Sequence, residues 1–121
     1  DWDYGYFDDI ILFKLKQMEK YFRSEPHIIQ DWEVVANEIR ETIDTFQRSI
    51  DDNYAEELGY VYEPFKFESI EGSGLSRLVS NKTEEEKQKD WEIIKKAMQM
   101  QSRDRRRAFI LMARHSRGWW D

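Results

Sequence analysis

The segment from Trp32 to Ile50 constrains the fold of this chain more than any other. Six apolar residues recur there at steps of 4, 3, 4, 3 and 4: Trp32, Ala36, Ile39, Ile43, Phe46 and Ile50. This spacing places all six on one face of an α-helix, in a seam of the kind that packs against other helices at a shallow angle. The segment is therefore predicted to be an amphipathic helix of a bundle.

Two further segments show helical periodicity. The first has an apolar face, predicted to be buried, that comprises Tyr4, Phe7, Ile11, Leu15, Met18 and Phe22, and it should end before Pro26. The last segment opens with a capping box, Thr83 to Glu86. Its seam comprises Trp91, Ile94, Met98, Gln101, Arg105, Ala108, Met112, His115 and Trp119. This segment either continues as one helix or breaks near 102–104, and the break is considered because a continuous helix would be longer than either partner.

The sequence thus predicts a mainly α fold: an antiparallel up-down bundle of three or four helices in a single domain over 1–121, with an irregular insertion at about 51–81. Aromatic residues alternate on both sides of Pro64 in this insertion. An extended loop over the bundle and a short β-hairpin both fit that pattern, and the loop is favoured. Gly72-Ser73-Gly74 is predicted to be a turn. Because the first residue is Asp1, the native chain is expected to be longer at its N-terminus.

Composition and motifs narrow the possible chemistry. The chain has no cysteine, which excludes disulfides, a thiolate nucleophile and cysteine-ligated zinc. It lacks a glycine-rich phosphate loop, a His-Glu-x-x-His metal motif and a Gly-x-Ser-x-Gly nucleophile elbow. The longest apolar run, residues 10–13, is far short of the roughly 20 residues of a membrane span. We therefore expect no cofactor, no metal site and no membrane contact, and favour a protein that is not an enzyme.

Three polar residues interrupt the seam of the last helix: Gln101, Arg105 and His115. Arg105 either extends its guanidinium from the edge of the interface to water, which is favoured, or pairs with an acid such as Asp8, or marks a ligand-facing gap. His115 is interpreted as a hydrogen-bonded core or rim histidine in preference to a catalytic group. Gln101 has no interpretation by itself.

Charge is unevenly distributed along the chain. Residues 103–121 contain six arginines and two aspartates, a charge of +4, whereas the other 102 residues carry −10, which together give −6. Six basic residues of the last helix share one face, within about 60° of a line parallel to the helix axis: Lys96, Arg103, Arg106, Arg107, Arg114 and Arg117. Guanidinium groups beside Trp119 and Trp120 suit an anionic ligand that carries an aromatic ring. An ordinary basic surface at a helix C-terminus is the alternative. The acidic whole disfavours binding to duplex DNA.

We also expect the first and last helices to run antiparallel, which would bring the two chain ends together. Trp2 and Tyr4 would then lie against Arg114, Arg117 and the closing tryptophans. This corner could be a structural clasp, an oligomer contact or the wall of a pocket. The candidate ligand- or partner-binding residues are Arg103, Arg107, Arg114, Arg117, Trp119, Trp120, Trp2 and Tyr4.

The two ends and the first helix also carry a resemblance. The opening Asp1-Trp2-Asp3-Tyr4, the segment from Phe13 to Lys16 with Met18, and the closing Gly118-Trp119-Trp120-Asp121 resemble a family of small uncharacterised proteins of tailed bacteriophages. Members of that family carry a basic, aromatic lead-in before the Trp-Asp-Tyr segment, which this sequence lacks. The resemblance implies a helical fold and a phage origin, and it assigns no catalytic residue.

These observations lead to three functional hypotheses. The leading one is a non-enzymatic binding protein, acting as a homo-oligomer in the cytoplasm of an infected bacterial host. Its partner would be a host or phage protein or a defence component. Alternatively, the protein would sequester an anionic, nucleotide-like molecule at the Arg/Trp surface. The second is a structural or assembly component of the phage particle or of its replication machinery. The third is a small nuclease or hydrolase that uses unrecognised carboxylates.

Overall fold

The protein is mainly helical in the computed structural model, which describes residues 4–24, 30–62, 66–79 and 82–120. For Tyr4, Trp120 and residues 66–68 and 75–79, only the backbone is described. The elements are helices α1 (Tyr4–Ser24), α2 (Trp32–Asp51) and α3 (Tyr54–Glu57), strands β1 (Lys66–Ile70) and β2 (Leu75–Val79), and helix α4 (Glu84–Trp120). The prediction of a helical bundle with a small β insertion is confirmed.

Contacts group the chain into two compact units. The first contains residues 1–53 and 99–121, and the second contains residues 54–98. Helix α4 contributes its C-terminal half to the first unit and its N-terminal half to the second. It is one continuous helix of 37 residues, so of the two alternatives for this segment the structure has the unbroken helix.

The first unit is built around the seam of α2. Ala36, Ile39, Ile43 and Phe46 are buried there, as the spacing predicts. From α1, Leu12, Leu15 and Phe22 join the apolar cluster, and Trp119 joins it from α4. Phe7, which was predicted for the buried face of α1, is instead exposed.

Polar contacts fix the directions of the three long helices. Glu19 of α1 pairs with Arg40 of α2 and Arg23 bonds to Asn37, so α1 and α2 are antiparallel. From α2 to α4, Gln101 contacts residue 49 and Trp119 contacts residue 38, so this pair is antiparallel too.

Helices α1 and α4 therefore run parallel, and the expected antiparallel arrangement is wrong. The ion pair between Asp8, near the start of α1, and Arg105 agrees with this direction. Trp119 lies about 20 Å further along α4 from Arg105, at a rise of 1.5 Å per residue. Tyr4, at the first turn of α1, consequently does not lie beside Trp119. Trp2 lies outside the described residues. Parallel first and third helices are what an up-down-up order requires.

The second unit contains a β-hairpin, so the favoured extended loop is wrong for this part of the insertion. Strands β1 and β2 pair antiparallel, from Lys66 opposite Val79 to Ile70 opposite Leu75. Gly72 and Gly74 have positive φ angles of 79° and 70° in the connecting turn, a conformation that glycine adopts without strain. In the same unit, Lys82 pairs with Asp90 and lies 5.2 Å from the centre of the Tyr60 ring.

The N-terminus of α4 has the predicted cap. The backbone N–H of Glu86 donates to Oγ1 of Thr83 at 3.2 Å. Three glutamates in the first turn face the positive end of the helix dipole. The side chains of Trp91 and Met98, however, are more than half exposed, so the predicted apolar seam does not extend through this half of α4.

Candidate functional site

The arginine face of α4 is the candidate site, and we define it as Arg103, Arg106, Arg107, Arg114 and Arg117. All five side chains are exposed, and Ile110, which is 47% exposed, lies among them. From Arg103 to Arg117 the face extends for about 21 Å along the helix. An extended row of this kind matches an elongated anionic surface better than a single small anion.

The members of the arginine face differ in what they contact. Nη2 of Arg107 donates to Oε1 of Glu41 at 2.8 Å, and Nε of Arg103 lies 4.0 Å from its neighbour Asp104. Arg106, Arg114 and Arg117 form no ion pair with any residue that the structure describes. These three guanidinium groups keep their five N–H donors each for solvent or for a partner.

Trp119 is not available to a ligand, and its assignment as a binding residue is wrong. Its side chain is 5% exposed and packs in the apolar cluster of the first unit. Its Nε1 donates to Oε2 of Glu38 at 3.1 Å, which satisfies the indole N–H. A ring buried in this way has no free face for stacking. The side chains of Trp120 and Tyr4, and the whole of Trp2, lie outside what the structure describes.

Glu38 is a residue that sequence reasoning missed. Besides accepting from Trp119, its Oε1 lies 3.5 Å from Nδ1 of the half-buried His115. His115 is thus held at the rim of the interface, in agreement with its favoured interpretation. Glu38 lies one position before the buried Ile39, and this proximity to the seam was the only signal in the sequence.

Arg105 lies at the edge of the helix interface, with its side chain 31% exposed, and does not belong to the arginine face. Its Nη1 donates to Oδ2 of Asp8 at 2.7 Å, which confirms the pairing with Asp8 that the sequence left as an alternative. Its guanidinium carbon lies 5.7 Å from the ring centre of Phe46 and 5.2 Å from that of Phe109. The charge is therefore compensated by a carboxylate and by two aromatic rings.

Two more polar contacts join α2 to α4. Nε2 of Gln101 donates to the backbone carbonyl of Ser49 at 2.9 Å, and Arg48 lies 3.6 Å from the buried Asp104. The polar interruptions of the seam therefore hold the helices together.

A bidentate ion pair joins α1 to α2. Nη2 and Nε of Arg40 donate to the two carboxylate oxygens of Glu19 at 2.6 and 2.9 Å. Arg23 adds a contact of 3.2 Å to the same carboxylate. The hydrogen bonds from Arg40 lower the pKa of Glu19 below its ordinary value, and Glu19 in turn raises the pKa of Arg40. These ion pairs hold α1 against α2, and none of their residues is a candidate ligand-binding residue.

Neither a metal centre nor a membrane span is found in the described part of the chain. No group of three His, Asp or Glu side chains there is placed to bind a metal ion. No helix within it combines the length and the hydrophobicity that crossing a bilayer requires. Comparisons with protein-family models, curated proteins and solved structures give no match.

Proposed function

We propose that the chain is a non-enzymatic binding protein that engages an anionic surface of a partner protein through the arginine face of α4. The observation that carries this proposal is the trio Arg106, Arg114 and Arg117, which is exposed and forms no ion pair with a described residue. Exposed arginines around an apolar residue such as Ile110 have the composition of protein-binding surfaces, in which arginine is enriched.

A partner protein is favoured over a small nucleotide because of the burial of Trp119. A nucleotide site needs a stacking face for the base as well as donors for the phosphate. With the Trp119 indole in the apolar cluster, the arginine face retains the donors and loses that stacking ring. The resemblance to phage proteins favours a host or defence component of the infected cell as the partner.

The test is affinity capture from the host with three forms of the full chain. Wild type is compared with the double variant Arg114→Gln/Arg117→Gln and with the matched control Lys89→Gln/Lys95→Gln. Both variants remove two exposed positive charges from α4, but the control removes them outside the arginine face. We expect wild type and the control to retain the same partner and the arginine variant to lose it.

Two results would contradict the proposal. If the arginine variant and the control capture equal amounts of the partner, the arginine face does not contribute to binding. Calorimetric titration with cyclic and linear nucleotides separates the ligand classes, since saturable heat with a nucleotide would favour the sequestering hypothesis over a protein partner.

An assembly role is the second candidate, and a specific observation favours it. Helix α1 exposes several large apolar side chains on the side opposite its buried face, among them Ile10 and Phe13. Exposed apolar patches of this size mark interaction sites on proteins. Mass spectrometry of purified virions tests this candidate, and absence of the protein from the particle would exclude a structural role there.

A further inference from the structure

The outer face of α1, which we define as Tyr6, Phe7, Ile10, Phe13 and Tyr21, presents a second interaction surface. Each of these side chains is more than half exposed. At 100° per residue, Tyr6, Ile10, Phe13 and Tyr21 fall within about 80° of one another, and Gln17 completes the row. The buried Leu12, Leu15 and Phe22 lie on the other side of the helix. The outer face is therefore an apolar stripe along most of a 21-residue helix.

We propose that the outer face of α1 binds the same face of a second copy of this chain, with the two helices antiparallel about a two-fold axis close to Phe13. This surface is distinct from the arginine face, so the proposal stands or falls independently of the proposed function. A two-fold contact needs a surface that is complementary to itself. The charges on one edge of the outer face, Asp9, Lys16 and Lys20, meet that requirement.

One edge of the outer face carries charges of both signs, in an order that lets two antiparallel copies form ion pairs. Asp9, Lys16 and Lys20 are all exposed and lie within about 40° of one line on the helix. With the axis between residues 13 and 14, Asp9 of one copy falls between Lys16 and Lys20 of the other, and Tyr6 falls opposite Tyr21. A parallel pairing would instead place this edge against the opposite edge of the other copy, where Lys14 and Phe7 lie and no acidic residue of α1 faces Lys16 and Lys20. Charge therefore selects the antiparallel orientation.

The area of the outer face is sufficient for a dimer of modest affinity. Five large side chains that are each about half exposed offer roughly 100 Å² apiece, which gives on the order of 1,000 Å² for the two copies together. Specific interfaces begin at about this size. We expect a reversible dimer at the weak end of the range of specific interfaces.

Sedimentation analysis of the full chain over a range of concentrations tests the dimer. Wild type is compared with Ile10→Glu/Phe13→Glu and with Val34→Glu/Met98→Glu, which adds the same charge at exposed apolar positions of α2 and α4 outside the arginine face. We expect the α1 variant to raise the dissociation constant about 100-fold and the control to leave it unchanged. Circular dichroism confirms that each variant is folded. A wild-type chain that stays monomeric up to millimolar concentration overturns the proposal.

Charge reversal tests the orientation without removing any apolar side chain. Asp9→Lys alone, and Lys16→Glu/Lys20→Glu alone, should each weaken the dimer, and the triple variant should restore it. Because the chain has no cysteine, single substitutions also report the geometry by disulfide formation. Phe13→Cys should cross-link to itself, whereas Tyr6→Cys should cross-link to Tyr21→Cys. Tyr6→Cys that cross-links only to itself, or binding of the outer face to lipid vesicles with no dimer in solution, overturns the proposal.

Discussion

The ion pair between Glu19 and Arg40 makes the stability of this protein depend on pH. Because hydrogen bonds from Arg40 lower the pKa of Glu19 in the folded state, folding is favoured by the ionised carboxylate. That contribution is present above the unfolded pKa, near 4.5, and it is lost as the pH falls through the folded value. Since Arg40 is 45% exposed, we expect it to be worth about 1 kcal/mol after screening by solvent.

The variant Glu19→Gln should therefore be less stable than wild type at neutral pH and equally stable in strong acid. Urea unfolding at a series of pH values from 7 down to about 2 measures the two curves. Glu33→Gln, an exposed glutamate of α2, is the control and should follow wild type. A constant difference between Glu19→Gln and wild type across this range would contradict the role of the Glu19 carboxylate.

The pair of Asp8 and Arg105 should show stronger coupling than an exposed pair. Asp8 is buried and its Oδ1 accepts no hydrogen bond from a described residue, so Oδ2 and its bond to Arg105 carry the compensation of this charge. In a double-mutant cycle with Asp8→Asn and Arg105→Gln, we expect a coupling free energy of about 1–2 kcal/mol. The exposed pair Glu41 and Arg107 serves as the reference and should give about 0.5 kcal/mol or less.

Among the elements, α2 could be predicted almost completely from its sequence, and α1 only in part. The seam of α2 is flanked by polar residues, so the period of 3.6 selects one face. Helix α1 has apolar residues on both sides, and the spacing that predicts a buried Phe7 fits Ile10 and Phe13 equally well. Periodicity alone cannot rank two apolar faces, because burial is decided by which face meets α2.

The C-terminus of α2 ends in a left-handed residue that glycine would fit better. Asp52 has φ 51° and ψ 50°, and its N–H bonds to the carbonyl of Arg48. We expect Asp52→Gly to raise the free energy of unfolding by about 0.5–1 kcal/mol, because glycine has no Cβ to strain in this conformation. Asp52→Ala should lower it, because alanine keeps the Cβ but loses the short polar side chain that lets aspartate adopt the left-handed region. Thermal and urea unfolding measure both, and a stabilising Asp52→Ala would contradict this reading of the cap.

The C-terminal turn of α4 is held by Trp119 and not by its arginines. Trp119→Ala removes the indole from the apolar cluster and leaves Glu38 without one of its donors, so we expect a loss of about 3 kcal/mol in stability. Arg117→Ala, two positions away and exposed, should change stability by less than about 0.5 kcal/mol. Similar losses for the two variants would restore a structural role for the arginine face.

At the scale of the whole molecule, local stability should vary along α4. Every residue from 84 to 92 has an exposed side chain except Asp90, which is half-buried. Further along, Asp104, Ala108, Leu111 and Trp119 are buried. We expect amides of 84–92 to exchange hydrogen rapidly and those of 104–115 to be strongly protected, as measured by native-state exchange with mass spectrometry. Uniform protection along α4 would contradict this expectation.

The candidate site could be predicted from the sequence only where it depends on one helix. The arginines share a face of α4 by spacing alone, and the structure leaves that face exposed. The proposed neighbourhood of the chain ends required the order of three helices, and the parallel direction of α1 and α4 removes it. Whether Trp119 could stack on a ligand depended on its burial. That burial is decided by contacts with Glu38 and with the apolar cluster on α2, which the sequence alone does not give.

The position of the Trp119 indole also makes the peptide bond after Arg117 a sensitive point. Cleavage there by a protease specific for basic residues would detach Trp119 from the rest of α4 and would take away one wall of the apolar cluster. The arginine face would stay attached, but Ile39 and its neighbours would be presented to water, a change that favours aggregation. A single cut would thus expose the interior of the first unit while sparing the arginine face.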